Sequence, residues 1–157
     1  MKRAESSRTL NHGVEALWSV LSDFENVADW NPTLQSAHLL GTQKRGVGAS
    51  RQCTLNDGKN HVEERVIRWE EGRLLEIEIV DGTLPFRKAS VLVELESESP
   101  KRTRVHMTTS FEPKGGALGS VAAEIVLKPM LRRLFGRLFD GLEAQLERSP
   151  DGEALRA

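Results

Sequence analysis

From residue 73 to residue 112 the apolar side chains fall on every second position. Leu75, Ile77 and Ile79 alternate with Glu76 and Glu78, and Ala89, Val91, Val93 and Leu95 flank Glu94 and Glu96. Val105, Met107, Thr109 and Phe111 continue the pattern. A period of two marks strands with one wet and one buried face, as antiparallel sheets commonly have. The pattern predicts strands at about 34–42, 47–55, 60–70, 73–81, 87–97 and 103–112, after a more weakly patterned one at 3–10. Turn residues separate them: Gly46, Asp57-Gly58, Glu71-Gly72, Asp81-Gly82 and Ser99-Pro100.

Elsewhere the period is helical. Val14, Leu17, Trp18 and Leu21 share one helix face behind Asn11, a residue type suited to an N-cap. A short helix around Glu25–Asp29 is stopped by Trp30-Asn31-Pro32. From about Leu118 to Leu146 a stripe of Leu127, Leu131, Leu134, Leu138 and Leu142, widened by Phe135 and Phe139, predicts a long amphipathic helix. Pro129 is expected to kink or restart it. The order gives an α+β fold: a curved antiparallel sheet of about seven strands wrapped around a long C-terminal helix, with two short helices after the first strand. A single domain over residues 1–148 is expected, with a frayed polar tail over 149–157. A curved sheet and one helix leave space between them, a natural apolar cavity.

Two places depart from simple alternation. Ile67 and Trp69 have the opposite parity to Val62 and Val66. A bulge near Arg65 restores them to the inner face; without it they form an exposed patch through which an interaction module could dimerise. The other place is the segment 48–66. Asp57-Gly58 suits a two-residue type I′ turn, which pairs Leu55 with Asn60, Cys53 with Val62 and Arg51 with Glu64. Leu55, Cys53, Val62 and Val66 then share the apolar face, and Arg51 and Glu64 lie on it opposite each other.

That inward charge pair is the main candidate chemistry. Arg51 offers a planar fork of donors and Glu64 an acceptor, so the pair can anchor the polar end of a hydrophobic ligand. Equally it can be a structural cross-strand ion pair, although desolvation leaves such pairs little net stability. For catalysis Glu64 is the candidate general base and Arg51 the group that polarises a carbonyl. Cys53 has no histidine on its face, because His61 points the other way, and reads as a small packed residue. His12, His38, His61 and His106 show no metal-ligand spacing. The residues expected on a ligand are Arg51, Cys53, Leu55, Val62, Glu64, Val66, Ile77, Ile79, Ala89, Val91 and Met107 from the sheet, with Leu131, Leu134 and Phe135 from the helix.

Charge and composition narrow the rest. The 157 residues carry a net charge of −1 with cations spread over the chain, which argues against a nucleic-acid partner. One cysteine excludes an intrachain disulfide and fits a reducing, cytoplasmic setting, and the first ten residues lack a signal-peptide core. No cofactor and no metal is expected, and the protein is expected as a monomer or homodimer. Lys128, Arg132, Arg133 and Arg137 read as a solvated helix face, with contact to an anionic membrane surface as the lesser reading.

Leu17-Trp18-Ser-Val-Leu-Ser-Asp23-Phe24 followed by Trp30-Asn31-Pro32 resembles the first helices of the polyketide cyclase/dehydrase and lipid-transfer group. That group belongs to the START/Bet v 1-like (SRPBCC) superfamily. Gly46 to Leu55 with Gly58, Val62 and Glu64-Arg65 is similar to its central hairpin, and Leu84-Pro85, Ser110 to Gly115 and the closing helix also fit. The resemblance covers about residues 5–147. It implies a helix-grip fold holding a hydrophobic ligand, such as a lipid, quinone or polyketide, between sheet and helix, with the N-terminal half of that helix on the cavity. Relatives include carriers, hormone receptors, and cyclases or aromatases. The receptors use the loop between the corresponding strands as a moving gate; the tight turn at Asn56–Lys59 departs from that pattern. Fold-level likeness does not choose among these activities.

Overall fold

Seven antiparallel strands form one sheet in the order β1-β7-β6-β5-β4-β3-β2. They are β1 (Lys2–Leu10), β2 (Leu34–Leu40), β3 (Ser50–Leu55), β4 (His61–Glu70), β5 (Leu74–Gly82), β6 (Phe86–Ser99) and β7 (Arg102–Pro113). This computed structural model describes residues 1–148, so the expected polar tail lies outside the described residues. Helix α1 (Val14–Leu21) and a 3-10 helix (Phe24–Asp29) follow β1. After β7 come α2 (Gly116–Ala122), a π-helical turn (Ala123–Leu127) and α3 (Lys128–Arg148).

The concave face of the sheet and α3 enclose the core. Leu131, Phe135, Phe139, Leu142 and Leu146 of α3 are buried against Val66, Ile77, Val93, Leu95, Val105 and Met107. The edge strand β1 is tied to α3 by Arg8, whose Nη1 donates to Asp140 at 2.6 Å and whose guanidinium lies 5.1 Å from the centre of the Phe139 ring. Close packing also explains Gly141, in the middle of α3. A Cβ there would lie 2.1 Å from the Trp30 carbonyl oxygen. The helix therefore accepts a residue of poor helix propensity so that the Trp30–Pro32 segment can lie directly on it.

Local readings are corrected in five places. The N-cap of α1 is Gly13, with no side-chain cap, rather than Asn11; the chain before it is held to β7, where the Thr103 hydroxyl donates to His12 O at 2.9 Å. The second short helix is a 3-10 helix, non-helical at Asn26. The β3–β4 turn is not type I′, because no non-glycine residue among the described residues has positive φ, Asp57 included. It is a four-residue loop in which Gly58, at φ 69°, takes the left-handed position and Asp57 Oδ1 accepts from the Lys59 and Asn60 amides, each at 2.8 Å. The bulge in β4 is at Ile67, between the Val66–Ile77 and Arg68–Glu76 pairs, not at Arg65. It returns Trp69 to the inner face opposite Leu75 but leaves Ile67 exposed, so the two do not form a joint dimer patch. Finally, Pro129 does not interrupt the helical backbone: α-helix resumes at Lys128, directly after the π-helical turn. The Pro129 ring nitrogen has no proton for the usual bond, and the preceding turn widens instead, with Lys128 N–H donating five residues back to Ala123 O.

Candidate functional site

The pairing of β3 with β4 matches Arg51 to Glu64, Cys53 to Val62 and Thr54 to His61. Arg51 is buried and fully oriented. Its Nε donates to Glu64 Oε2 at 2.7 Å and its Nη1 to the Phe24 carbonyl at 2.7 Å, while the guanidinium stacks 3.9 Å from the centre of the Phe24 ring. The 3-10 helix supplies both Phe24 contacts, so it fixes the arginine fork from the side opposite Glu64. No buried polar side-chain atom among the described residues lacks a partner. Glu64 Oε1 and Arg51 Nη2 take no hydrogen bond there, so each retains some solvent contact.

These two side chains sit in the wall of a cavity of about 180 Å³ between the sheet and α3. Leu55 and Val62 flank them; Ile77, Ile79, Ala89, Val91 and Met107 form the floor, and Leu131 and Leu134 the roof. Three expected positions do not reach it. Cys53 is buried with Val27 and Val62 in a separate small cluster, and Val66 and Phe135 are fully packed in the main core. Burial, then the neighbouring Glu64 charge, pushes the Cys53 thiol up to about 12, which leaves it neutral and unreactive. The sequence reading missed the end wall: Trp30, Asn31 and Thr33 from the loop before β2 with Leu34 at the start of that strand, and Leu84 from the β5–β6 turn with Phe86 at the start of β6. Trp30-Asn31-Pro32 was visible as a helix stop, but a loop carries no periodicity to say which way it faces. Leu75, Val93, Thr109 and Leu138 also line the cavity and lie on stripes the alternation identifies; Leu21 of α1 completes it.

Among the wall residues Glu64 is the sole carboxylate and Arg51 the sole cation. The rest is apolar apart from Asn31, Thr33 and Thr109, and Asn31 Oδ1 is already used by the Thr33 amide and hydroxyl at 3.0 and 2.6 Å. The site can therefore enclose a hydrophobic body and offer it one donor–acceptor pair. No group of three or more His, Cys, Asp or Glu among the described residues is placed to hold a metal ion. Beside the cavity an open cleft of about 300 Å³ shares Val62, Ile79, Leu84, Phe86 and Ala89 with it and has Arg87, Lys88 and Lys114 on its rim.

The family described as polyketide cyclase/dehydrase and lipid transport matches residues 1–147. No curated protein matches the sequence. Among solved structures, a START superfamily protein from Mycobacterium smegmatis superposes with a TM-score of 0.77 at 18% identity, covering 93% of this chain and 97% of that one. The Zhui aromatase/cyclase from Streptomyces sp. R1128 gives a TM-score of 0.77 at 17% identity, covering 94% of each chain. A protein from Thermus thermophilus gives 0.74 at 17% identity, covering 92% of this chain and 96% of its own. At such identities the likeness is one of fold.

Proposed function

Because this chain belongs to the polyketide cyclase/dehydrase and lipid transport family, we propose that it binds or transfers a small hydrophobic molecule, lipid, quinone or polyketide-like, in the cavity under α3. The polar end of the ligand meets Glu64 Oε1 and Arg51 Nη2. The observation that carries this reading is the wall itself: an apolar enclosure interrupted by one oriented ion pair with an atom to spare on each partner. Apolar surface supplies the affinity and the pair supplies orientation. At about 180 Å³ the cavity is smaller than the roughly 300–1,000 Å³ usual for ligand sites, which favours a slender molecule over a long folded chain.

A second reading makes the protein a cyclase, aromatase or dehydratase, with Glu64 as general base and Arg51 polarising a carbonyl. The unbonded Oε1 and Nη2 favour it. Two features weigh the other way: the wall has a single carboxylate, and Arg51 already holds Glu64 and the Phe24 carbonyl. Dehydration needs a base to take the proton from carbon and a proton donor for the departing oxygen, and the wall offers no second titratable side chain suited to that.

Native mass spectrometry of the purified protein, with analysis of its organic extract, tests the binding reading. A stoichiometric hydrophobic adduct in the wild type, absent from a Val91→Phe variant that fills the cavity, is the expected result. A wild type that carries no adduct and does not enhance the fluorescence of 1-anilinonaphthalene-8-sulfonate overturns it.

A further inference from the structure

Helix α2 and the π-helical turn are built inside out. The residues they turn toward the protein are mostly small: Ala123 is fully buried and Gly119 and Ser120 are half-buried, with Leu127 the one large apolar residue packed on the core. Gly119 lies so close to the Lys114 carbonyl that a Cβ would sit 2.0 Å from its oxygen. The large apolar side chains face outward, with Leu118 85% exposed, Val121 56%, Ile125 69%, Val126 57% and Met130 51%. These five are the majority of the large apolar residues exposed among the described residues. A contiguous apolar stripe of this kind marks a surface that something covers.

The charges around the stripe say what. The Lys114 amide donates to Pro85 O at 3.2 Å, so the start of α2 and the β5–β6 turn make one edge, where Lys88, Lys114 and Arg87, the last 4.0 Å from Glu112, outnumber Asp81, the single acid of the open cleft. Beyond the stripe, Arg132, Arg133 and Arg137 continue along α3, all exposed. Glu124, the acidic residue within the stripe, is neutralised by Lys2 at 2.7 Å and Lys128 at 3.0 Å. Apolar side chains set among cations match an anionic lipid surface, where the former enter the headgroup boundary and the latter meet the phosphates. A second copy of the chain fits worse, because apposing two such stripes would bring two sets of cations together. Among the described residues no helix is long and apolar enough to cross a membrane, and a contact through this stripe is interfacial.

We propose that α2, the π-helical turn and the adjoining β5–β6 turn dock the protein on anionic membrane surfaces, with the Leu84–Phe86 end of the cavity beside the bilayer. The contact goes beyond ligand binding and does not depend on it. Flotation with vesicles of phosphatidylcholine containing 30% phosphatidylglycerol (about that fraction suffices for an anionic surface) tests it. The wild type is expected to float with these vesicles, to float far less with pure phosphatidylcholine, and to be released by added salt. Leu118→Asp and Ile125→Asp, both at exposed positions, should each keep the wild-type circular dichroism and lower partitioning at least about tenfold. Three outcomes overturn the proposal. They are no flotation with the anionic vesicles, flotation unchanged in both variants, or a wild-type dimer in sedimentation velocity that Ile125→Asp makes monomeric, which would give the stripe to a second copy.

Discussion

Trp18 and Trp69 meet edge to face with ring centres 5.2 Å apart, and one carboxylate, Glu71, accepts a hydrogen bond from each indole at 2.8 Å. Arg45 closes the group, donating to Glu71 at 2.6 Å and lying 5.3 Å from the centre of the Trp69 ring. The loop before β3, helix α1 and the β4–β5 turn are joined there. The two indole hydrogen bonds, first Trp69 and then Trp18, hold the Glu71 carboxyl below its ordinary range. A lowered folded value means that the stabilisation is present above the unfolded pKa and lost as pH falls through the folded one. Tryptophan fluorescence of a Trp30→Phe background should therefore change on acidification below the usual carboxylate range. Glu71→Gln should remove that step; its persistence in the variant would assign it elsewhere.

Arg51 and Glu64 are expected to be coupled. Arg51→Leu alone leaves a largely buried carboxylate and the Phe24 carbonyl without their partner, and should cost up to about 3 kcal/mol in urea unfolding, the low end for a buried pair because Glu64 keeps some solvent contact. Adding Glu64→Leu should recover part of that loss, because an apolar pair of similar volume replaces a desolvated ionic one. A double variant no more stable than the single one would show that the Phe24 carbonyl, rather than the ion pair, dominates the cost.

Gly141→Ala tests the seat of α3. In an isolated helix the change is favourable by roughly 1 kcal/mol. Here the added methyl meets the Trp30 carbonyl, and overpacking of this kind costs about 1–3 kcal/mol. Thermal unfolding should show a net destabilisation, and a raised melting temperature would mean the helix is free to move off the loop. Because Trp30 forms part of the cavity end wall, its fluorescence should also shift in the variant.

The Cys53 thiol should be silent in the native protein. With a pKa near 12 it stays protonated where an unfolded cysteine, at about 9, already ionises. Reaction with a disulfide reagent at pH 8 should wait for urea. The folded form keeps a proton that the unfolded chain releases, so stability should decline as pH rises from about 9 towards 12. A Cys53→Ala variant should lack that alkaline slope.

Strands, their order and the inward pairing of Arg51 with Glu64 were legible because alternation is a two-state signal that a sheet repeats many times. The readings that failed depended on loops or on single backbone choices. Residue preference could not distinguish a bulge at Ile67 from one at Arg65, since both restore Trp69 to the inner face. Nor could it show that Pro129 would be absorbed by a wider turn. The cavity floor followed from parity, whereas the end wall from Trp30 to Leu34 and at Leu84 and Phe86 depends on how loops fold back. The inside-out α2 and π-helical turn were hidden for another reason: Leu118, Val121 and Ile125 lie outside the leucine stripe, and only the packing of Gly119 and Ala123 reveals which side is covered.

The loop from Asn56 to Lys59 and the two-residue turn expected from Asp57-Gly58 have the same midpoint, and both therefore leave Arg51 facing Glu64. Lengthening this tip by one residue on each side would keep that register, whereas trimming it would remove Asn56, whose amide donates to Thr33 O at 3.1 Å and ties the tip to the cavity end wall. A single inserted residue would not keep the register: it would have to be absorbed as a bulge, or would slide one strand and turn the arginine or the carboxylate to the outside. Insertions at this tip should accordingly be tolerated best in pairs.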